Sequence, residues 1–166
     1  MLNVAIIGPE CTGKSTFAQS LASKYKGTCV PEYARTYVER KGSTDVTYNE
    51  LCELARHQIE EMESLYSVSE QSERSVIFQA KPVFFDTDLI VTKVWFDYAF
   101  GQVPEWLNEA IERYPMDIYL LTRPDIPWVS DQARSNGSDS IRQELFERYE
   151  KEIQALNIPY YIIEHC

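Results

Sequence analysis

The residues 8–16, Gly8-Pro9-Glu10-Cys11-Thr12-Gly13-Lys14-Ser15-Thr16, fit the pattern G-x-x-x-x-G-K-[ST] in full. Glycines at that spacing let the backbone turn tightly enough for successive N–H groups to converge on phosphate oxygens. A helix opening directly behind them adds the positive end of its dipole. Gly8, Glu10, Cys11, Thr12, Gly13 and Thr16 then form the backbone cradle. Lys14 reaches the β- and γ-phosphates, and the Ser15 hydroxyl ligates magnesium. The chemistry expected is binding of, and transfer from, a nucleoside triphosphate with its magnesium ion.

Carboxylates and guanidiniums elsewhere suit the same chemistry. Phe84-Phe85-Asp86 is an apolar run ending in a carboxylate, as a second magnesium-positioning group requires, and Asp88 follows two residues later. Asp88 faces the same way as Asp86 if the strand continues; otherwise it caps the next helix. Glu32 and Arg35 lie just beyond a short β-rich run that, in this architecture, is expected to flank the loop-bearing strand. Glu32 is either a general base for an acceptor hydroxyl or a charge that favours a helix start. The sequence leaves open whether Glu32 or Asp86 takes the proton.

The segment from Pro124 through Arg142 reads as a lid. Its Arg134 and Arg142 can close over a triphosphate where charge develops during transfer; alternatively Arg142 pairs with Glu147, a contact worth about 0–1 kcal/mol. Trp95, Tyr98 and Trp106 can stack on a planar ring or fill the core. Gln58 falls on an apolar helical stripe, where it either reads a polar substrate group or is satisfied internally.

These groups need a scaffold, and the hydrophobic pattern supplies one. Residues 2–7 form a buried-type strand running into the glycine loop, and 14–25 a helix with Phe17, Leu21 and Ala22 on one face. A strand at 28–30 leads into a short helix beginning around 31–35. A long helix over 47–71 carries Leu51, Leu54, Ala55, Met62 and Leu65 on its apolar side. Runs at 76–78 and 83–85 are β-rich; helices follow to residue 100 and over 105–113. Then come a strand at 117–121, a helix over 140–156 with Ile141, Leu145, Tyr149, Ile153 and Leu156 inward, and a strand at 160–163. Short apolar strands alternating with helices give a parallel sheet covered on both faces: one α/β domain of three layers, a P-loop NTPase fold with a lid.

Composition excludes several alternatives. With 166 residues and 44% hydrophobic content the chain can bury a real core. No apolar run approaches the roughly 20 residues that a spanning helix needs, and the start has no signal-peptide pattern. A cytoplasmic protein without membrane contact is expected. The formal charge of −10 opposes non-specific nucleic-acid binding. Cys11, Cys29, Cys52 and Cys166 are far apart, and with only His57 and His165 beside them a zinc site is not expected.

Taken together, the residues 8–16, Pro31-Glu32-Tyr33-Ala34-Arg35, Phe85-Asp86-Thr87-Asp88 and Pro127-Trp128-Val129-x-Asp131-x-x-Arg134 resemble the ribosylnicotinamide kinase domain of NadR-type bacterial proteins. The similarity runs over essentially the whole chain, to Ile158-Pro159-Tyr160-Tyr161-Ile162-Ile163. It implies a nucleoside-kinase-like fold and ATP- and magnesium-dependent phosphorylation of the 5′-hydroxyl of nicotinamide riboside, giving nicotinamide mononucleotide. Glu32, Arg35, Gln58, Asp88 and Trp95, singled out by their residue types and positions, are the candidates for acceptor binding. The adenylyltransferase domain and the DNA-binding segment that precede the kinase in such proteins are not in this sequence, so it is expected neither to make NAD nor to bind an operator by itself. Gln132 stands where the family often has glycine, a difference that bears on lid flexibility. The alternatives are a kinase for another nucleoside or vitamin such as thiamine, and a nucleotide-binding regulatory ATPase with little turnover.

Overall fold

The computed structural model describes residues 1–72, 81–129 and 138–165. The β-rich run at 76–78 and the lid residues 130–137, with Arg134, lie outside the described residues. Strand β1 (Asn3–Ile7) is buried at every position. It pairs in parallel with β3 (Val83–Asp86) on one side and β4 (Ile118–Thr122) on the other. With β2 (Thr28–Val30) beyond β3 and β5 (Tyr160–Ile163) beyond β4, the all-parallel order is β2-β3-β1-β4-β5. The expectation that the second strand flanks the loop-bearing strand is therefore corrected: β3 intervenes. The carboxylate beside the phosphate loop thus comes from the end of β3, and β2 brings Glu32 in from one strand further out.

Strand periodicity divides the β1 side chains between two cores. Val4 and Ile6 pack with Phe84 and with Ala18 and Ala22 of α1 (Lys14–Tyr25). Ala5 and Ile7 face the larger core. That core is built from α3 (Tyr48–Ser72), α4 (Leu89–Phe100), α5 (Glu105–Arg113) and α6 (Asp139–Ala155). Helices therefore cover both faces unequally, and α1 covers its face with Ala18 and Ala22 buried and Phe17 and Leu21 packed at the margin. Helix α2 (Tyr33–Lys41) has no buried residue and packs beside α3. It runs longer than the short helix expected, ending at Gly42, whose φ of 71° a side chain would strain.

No helix among the described residues is long and apolar enough to cross a membrane.

Candidate active site

The phosphate loop is shaped by what lies against it. Gly8 has φ 148°, and a Cβ there would stand 2.2 Å from Thr122 Oγ1 and 2.7 Å from the Thr122 carbonyl oxygen. Only glycine lets the chain leave β1 so close to the end of β4. Thr122 uses that proximity: its hydroxyl lies 2.6 Å from that of Thr12, which donates to the Pro9 carbonyl at 2.9 Å. Both threonines are buried, so the pair laces the loop to the sheet where water cannot compete. Cys11 (φ 58°) and Gly13 (φ 73°) take the left-handed turns that bring the backbone back to start α1. Lys14 Nζ donates to the Pro9 carbonyl at 2.8 Å, folded across the loop it serves.

Asp86 ends β3 opposite Ile6. It is buried, and its Oδ1 has no hydrogen-bond partner among the described residues. An orphaned carboxylate oxygen at the phosphate loop is an anomaly in a protein interior. It is resolved if a cation belongs there. Thr87, at φ 70°, then breaks the strand. Asp88 consequently does not continue it: Asp88 caps α4, accepting the Ile90 N–H at 3.1 Å and the Tyr119 hydroxyl at 2.8 Å. Its carboxylate is used up inside the protein, and the capping alternative describes its place.

Glu32 stands at the start of α2 without capping it; no side-chain hydrogen bond reaches the helix N–H groups. The half-buried carboxylate instead lines a cavity of about 380 Å³ together with the loop residues Gly8 and 10–16. Burial pushes its pKa up; the Lys14 ammonium opposes that, Asp86 adds to it, Arg35 opposes it and Glu10 adds to it. Four charged groups from three elements are thus within electrostatic reach of one carboxylate.

Away from the loop the cavity turns apolar, with Val38, Val46, Leu51, Leu54, Val91 and Phe100 on its walls. Trp95 lines it, edge-on to Tyr98 at a centroid distance of 5.8 Å. Trp106 lies instead against the Arg56 guanidinium, 5.5 Å from its ring centroid. Arg35 lines the cavity and also bonds Glu39 at 3.0 Å. Gln58 does not line it: its Oε1 accepts the Thr92 hydroxyl at 2.9 Å, tying α3 to α4.

Arg142 differs most from expectation. Instead of hanging over the cavity it is 1% exposed, donating to the carbonyls of Cys11 at 3.3 Å and Ile126 at 2.9 Å. It moors α6 to the phosphate loop, and its partner Asp139, on its own helix, is 93% exposed and 3.3 Å away. The Cys11 thiol adds a second mooring, accepting the Val129 N–H at 3.1 Å and donating to the Val129 carbonyl at 3.6 Å. The root of the expected lid is thereby fixed to the loop.

Sequence reasoning missed Tyr149, which lines the cavity although it is 1% exposed. The signal was a phenol on an otherwise apolar stripe, two turns beyond Arg142. It also missed Thr122 and the His165–Asp125 pair. His165 Nδ1 lies 2.8 Å from Asp125 Oδ1, and its Nε2 is 3.1 Å from where a Gly13 Cβ would be.

Ser15, lining the cavity, and Asp86, with its orphaned oxygen, fit a magnesium ion held jointly with phosphates. No cluster of three or more acidic, His or Cys side chains is available among the described residues. That suits magnesium, which keeps waters and phosphate oxygens in its shell and takes one or two protein ligands.

A phosphate loop leaving the middle strand of a parallel five-stranded sheet, with the cavity opening at its mouth, defines the class: this is a P-loop NTPase fold of the kind that nucleoside and nucleotide kinases share. The chain belongs to the AAA domain family, which it matches over residues 3–166. It is 28% identical over 164 residues to the trifunctional NAD biosynthesis/regulator protein NadR of Escherichia coli (strain K12), an alignment covering 97% of this chain and 38% of that protein. The chain thus spans well under half the length of that relative. The crystal structure of a NadR protein in complex with NAD and AMP-PNP shares the fold at a TM-score of 0.73 and 23% identity, over 99% of this chain and 44% of that one. One in complex with NR gives 0.70 and 22%, over 97% and 43%.

Proposed function

We propose that the protein transfers the γ-phosphoryl group of ATP, with magnesium, to the 5′-hydroxyl of nicotinamide riboside, forming nicotinamide mononucleotide and ADP. The observation that carries this reading is Glu32: a carboxylate with a raised pKa, free of the helix it starts, facing the phosphate loop across a cavity that turns apolar and aromatic behind it. In the reaction Lys14 exchanges the Pro9 carbonyl for the β- and γ-phosphates. Ser15 and Asp86 would hold a magnesium ion, which when bound would supply positive charge to the phosphate oxygens. Glu32 accepts the acceptor's hydroxyl proton as that oxygen bonds to the γ-phosphorus and the bond to the β-phosphate oxygen breaks. Asp86 is the poorer base because its place beneath the loop suits the ion. Arg35 holds the Glu32 charge, and Arg134 of the lid engages charge that develops on the transferring group.

Glu10 and Glu32 on the cavity wall complement a cationic pyridinium riboside, and Trp95 offers a ring for it to stack on. The NadR resemblance and a NadR structure containing NR support the choice of acceptor. The same charge complementarity suits the thiazolium of thiamine, which makes thiamine the sharpest competitor. With ATP and magnesium, kcat/KM for nicotinamide riboside is expected to exceed that for uridine, cytidine and thiamine at least about tenfold, a difference of about 1.4 kcal/mol. Faster turnover of thiamine or of another panel member would leave a P-loop kinase with a different acceptor.

A further inference from the structure

We propose that the phenol of Tyr149 is the donor that orients the acceptor, hydrogen-bonding a ribose hydroxyl that does not react and so selecting ribosides over their deoxy counterparts. The proposal rests on the cavity being the acceptor site.

The placement of Tyr149 follows from how α6 docks. Arg142 clamps the first turn of α6 to the Cys11 carbonyl. Tyr149 lies seven residues on, which returns it to the same face two turns further along. Its body is packed in the main core, yet its surface forms part of the cavity wall with Glu10, Glu32 and Trp95. A fully buried aromatic whose polar tip reaches a cavity needs a partner for that tip. Trp95, on the same cavity wall, offers one in its indole N–H. An indole N–H can only donate, so in that pairing the phenol oxygen accepts and its own O–H hydrogen is left for another acceptor.

The charges around it keep that hydrogen in place. Burial first, then the negative charges of Glu32 and Glu10, push the phenol pKa far up, with Trp95 opposing. Tyr149 is therefore a permanent donor set beside two carboxylates, which are permanent acceptors once ionised. A secondary hydroxyl satisfies both at once, donating to a carboxylate while its oxygen accepts from Tyr149. A methylene in the same place satisfies neither and leaves buried polar groups unpaired. Sites built around a hydroxyl reject the analogue lacking it far more strongly than apolar pockets reject a missing methylene.

The test compares nicotinamide riboside with its 2′-deoxy and 3′-deoxy analogues in wild type and Tyr149→Phe, with KM for ATP measured alongside. Wild type is expected to disfavour one deoxy analogue at least about tenfold. Tyr149→Phe should lower kcat/KM for the riboside by about tenfold, mainly through acceptor KM, and leave KM for ATP within about twofold. On the disfavoured analogue variant and wild type should agree within about threefold, so that the discrimination collapses. Trp95→Phe, which keeps the phenol but removes its partner, should erode the same ratio partially. Equal losses on all three substrates would make Tyr149 a packing residue and overturn the proposal, as would a wild type that turns over all three alike. If nicotinamide riboside is not a substrate but another riboside is, the acceptor assignment fails alone and the same comparison is made on that riboside. If thiamine proves to be the acceptor, both fall.

Discussion

Replacing Asp88 with asparagine separates a structural carboxylate from a substrate-binding one. Asp88 is 2% exposed, holds the first turn of α4 through the Ile90 N–H, and accepts the Tyr119 hydroxyl. Burial pushes its carboxyl up from 3.8 to about 6, against the hydrogen bonds from Tyr119, Ile90 and Val91. A carboxyl raised on folding contributes stability that is fully present below the unfolded value and is lost as pH rises through the folded value. The shift of about two units corresponds to about 3 kcal/mol, of which roughly 2–3 kcal/mol falls between about pH 4 and pH 7. The carboxamide of the Asp88→Asn variant cannot ionise, yet its oxygen still caps Ile90 and its amide can donate to the Tyr119 oxygen. Urea unfolding across that range, followed by tryptophan fluorescence, should therefore show wild type losing roughly 2–3 kcal/mol relative to the variant as pH rises. KM for ATP and for the acceptor at pH 7.5 should stay within about twofold of wild type. A stability difference that does not change with pH would rule out titration of Asp88, and a tenfold rise in acceptor KM would return this residue to the binding site.

Lys14→Ala is expected to abolish phosphoryl transfer without lowering the thermal unfolding temperature, because the proposed role of Lys14 is at the phosphates and among the described residues its side chain bonds only the Pro9 carbonyl; retained turnover would remove the loop from the mechanism. Arg134→Ala should reduce kcat far more than ATP affinity, which parallel titration and turnover measurements resolve; loss of affinity with kcat intact would make it an ordinary ATP-binding group. For Glu32, whose pKa is raised mainly by burial, kcat/KM for the acceptor should fall with decreasing pH at values above the ordinary carboxylate range of about 4.3. In Glu32→Gln that acid limb should vanish and the rate at neutral pH drop by about 10²–10⁴-fold; an unchanged profile would assign the proton to another group.

The fold was legible where local pattern and tertiary demand coincide. The expected helices and strands among the described residues are present within a few residues of their expected limits, except that α2 runs on to Lys41. The glycine loop was legible too, because its backbone geometry is written in residue types: Gly8 is dictated by the approach of Thr122. What the sequence could not show was which side chains end up opposed. Strand order puts β3 between β1 and β2, a non-local pairing that no window along the chain encodes. The left-handed Thr87 ends β3 one residue after Asp86, and so Asp86 and Asp88, equivalent in sequence, take different places: one orphaned at the loop, the other a cap. Arg142 reads as a mobile cation because it follows a polar segment, whereas the backbone carbonyls that hold it belong to Cys11 and Ile126, distant in sequence. Tyr149 reads as core because its spacing is that of core; its place on the cavity wall beside Trp95 emerges only in the fold.

The roles proposed for Lys14 and Glu32 meet in one event, phosphoryl transfer from ATP to the 5′-oxygen of a pyridinium riboside. Phosphorus NMR of the protein with ATP, magnesium and nicotinamide riboside follows that transfer without a coupled assay. ADP resonances and a single phosphomonoester resonance coupled to the 5′ protons should grow together in equal amounts. Formation of ADP and inorganic phosphate without the monoester, or a phosphate coupled to any other position of the riboside, would contradict it.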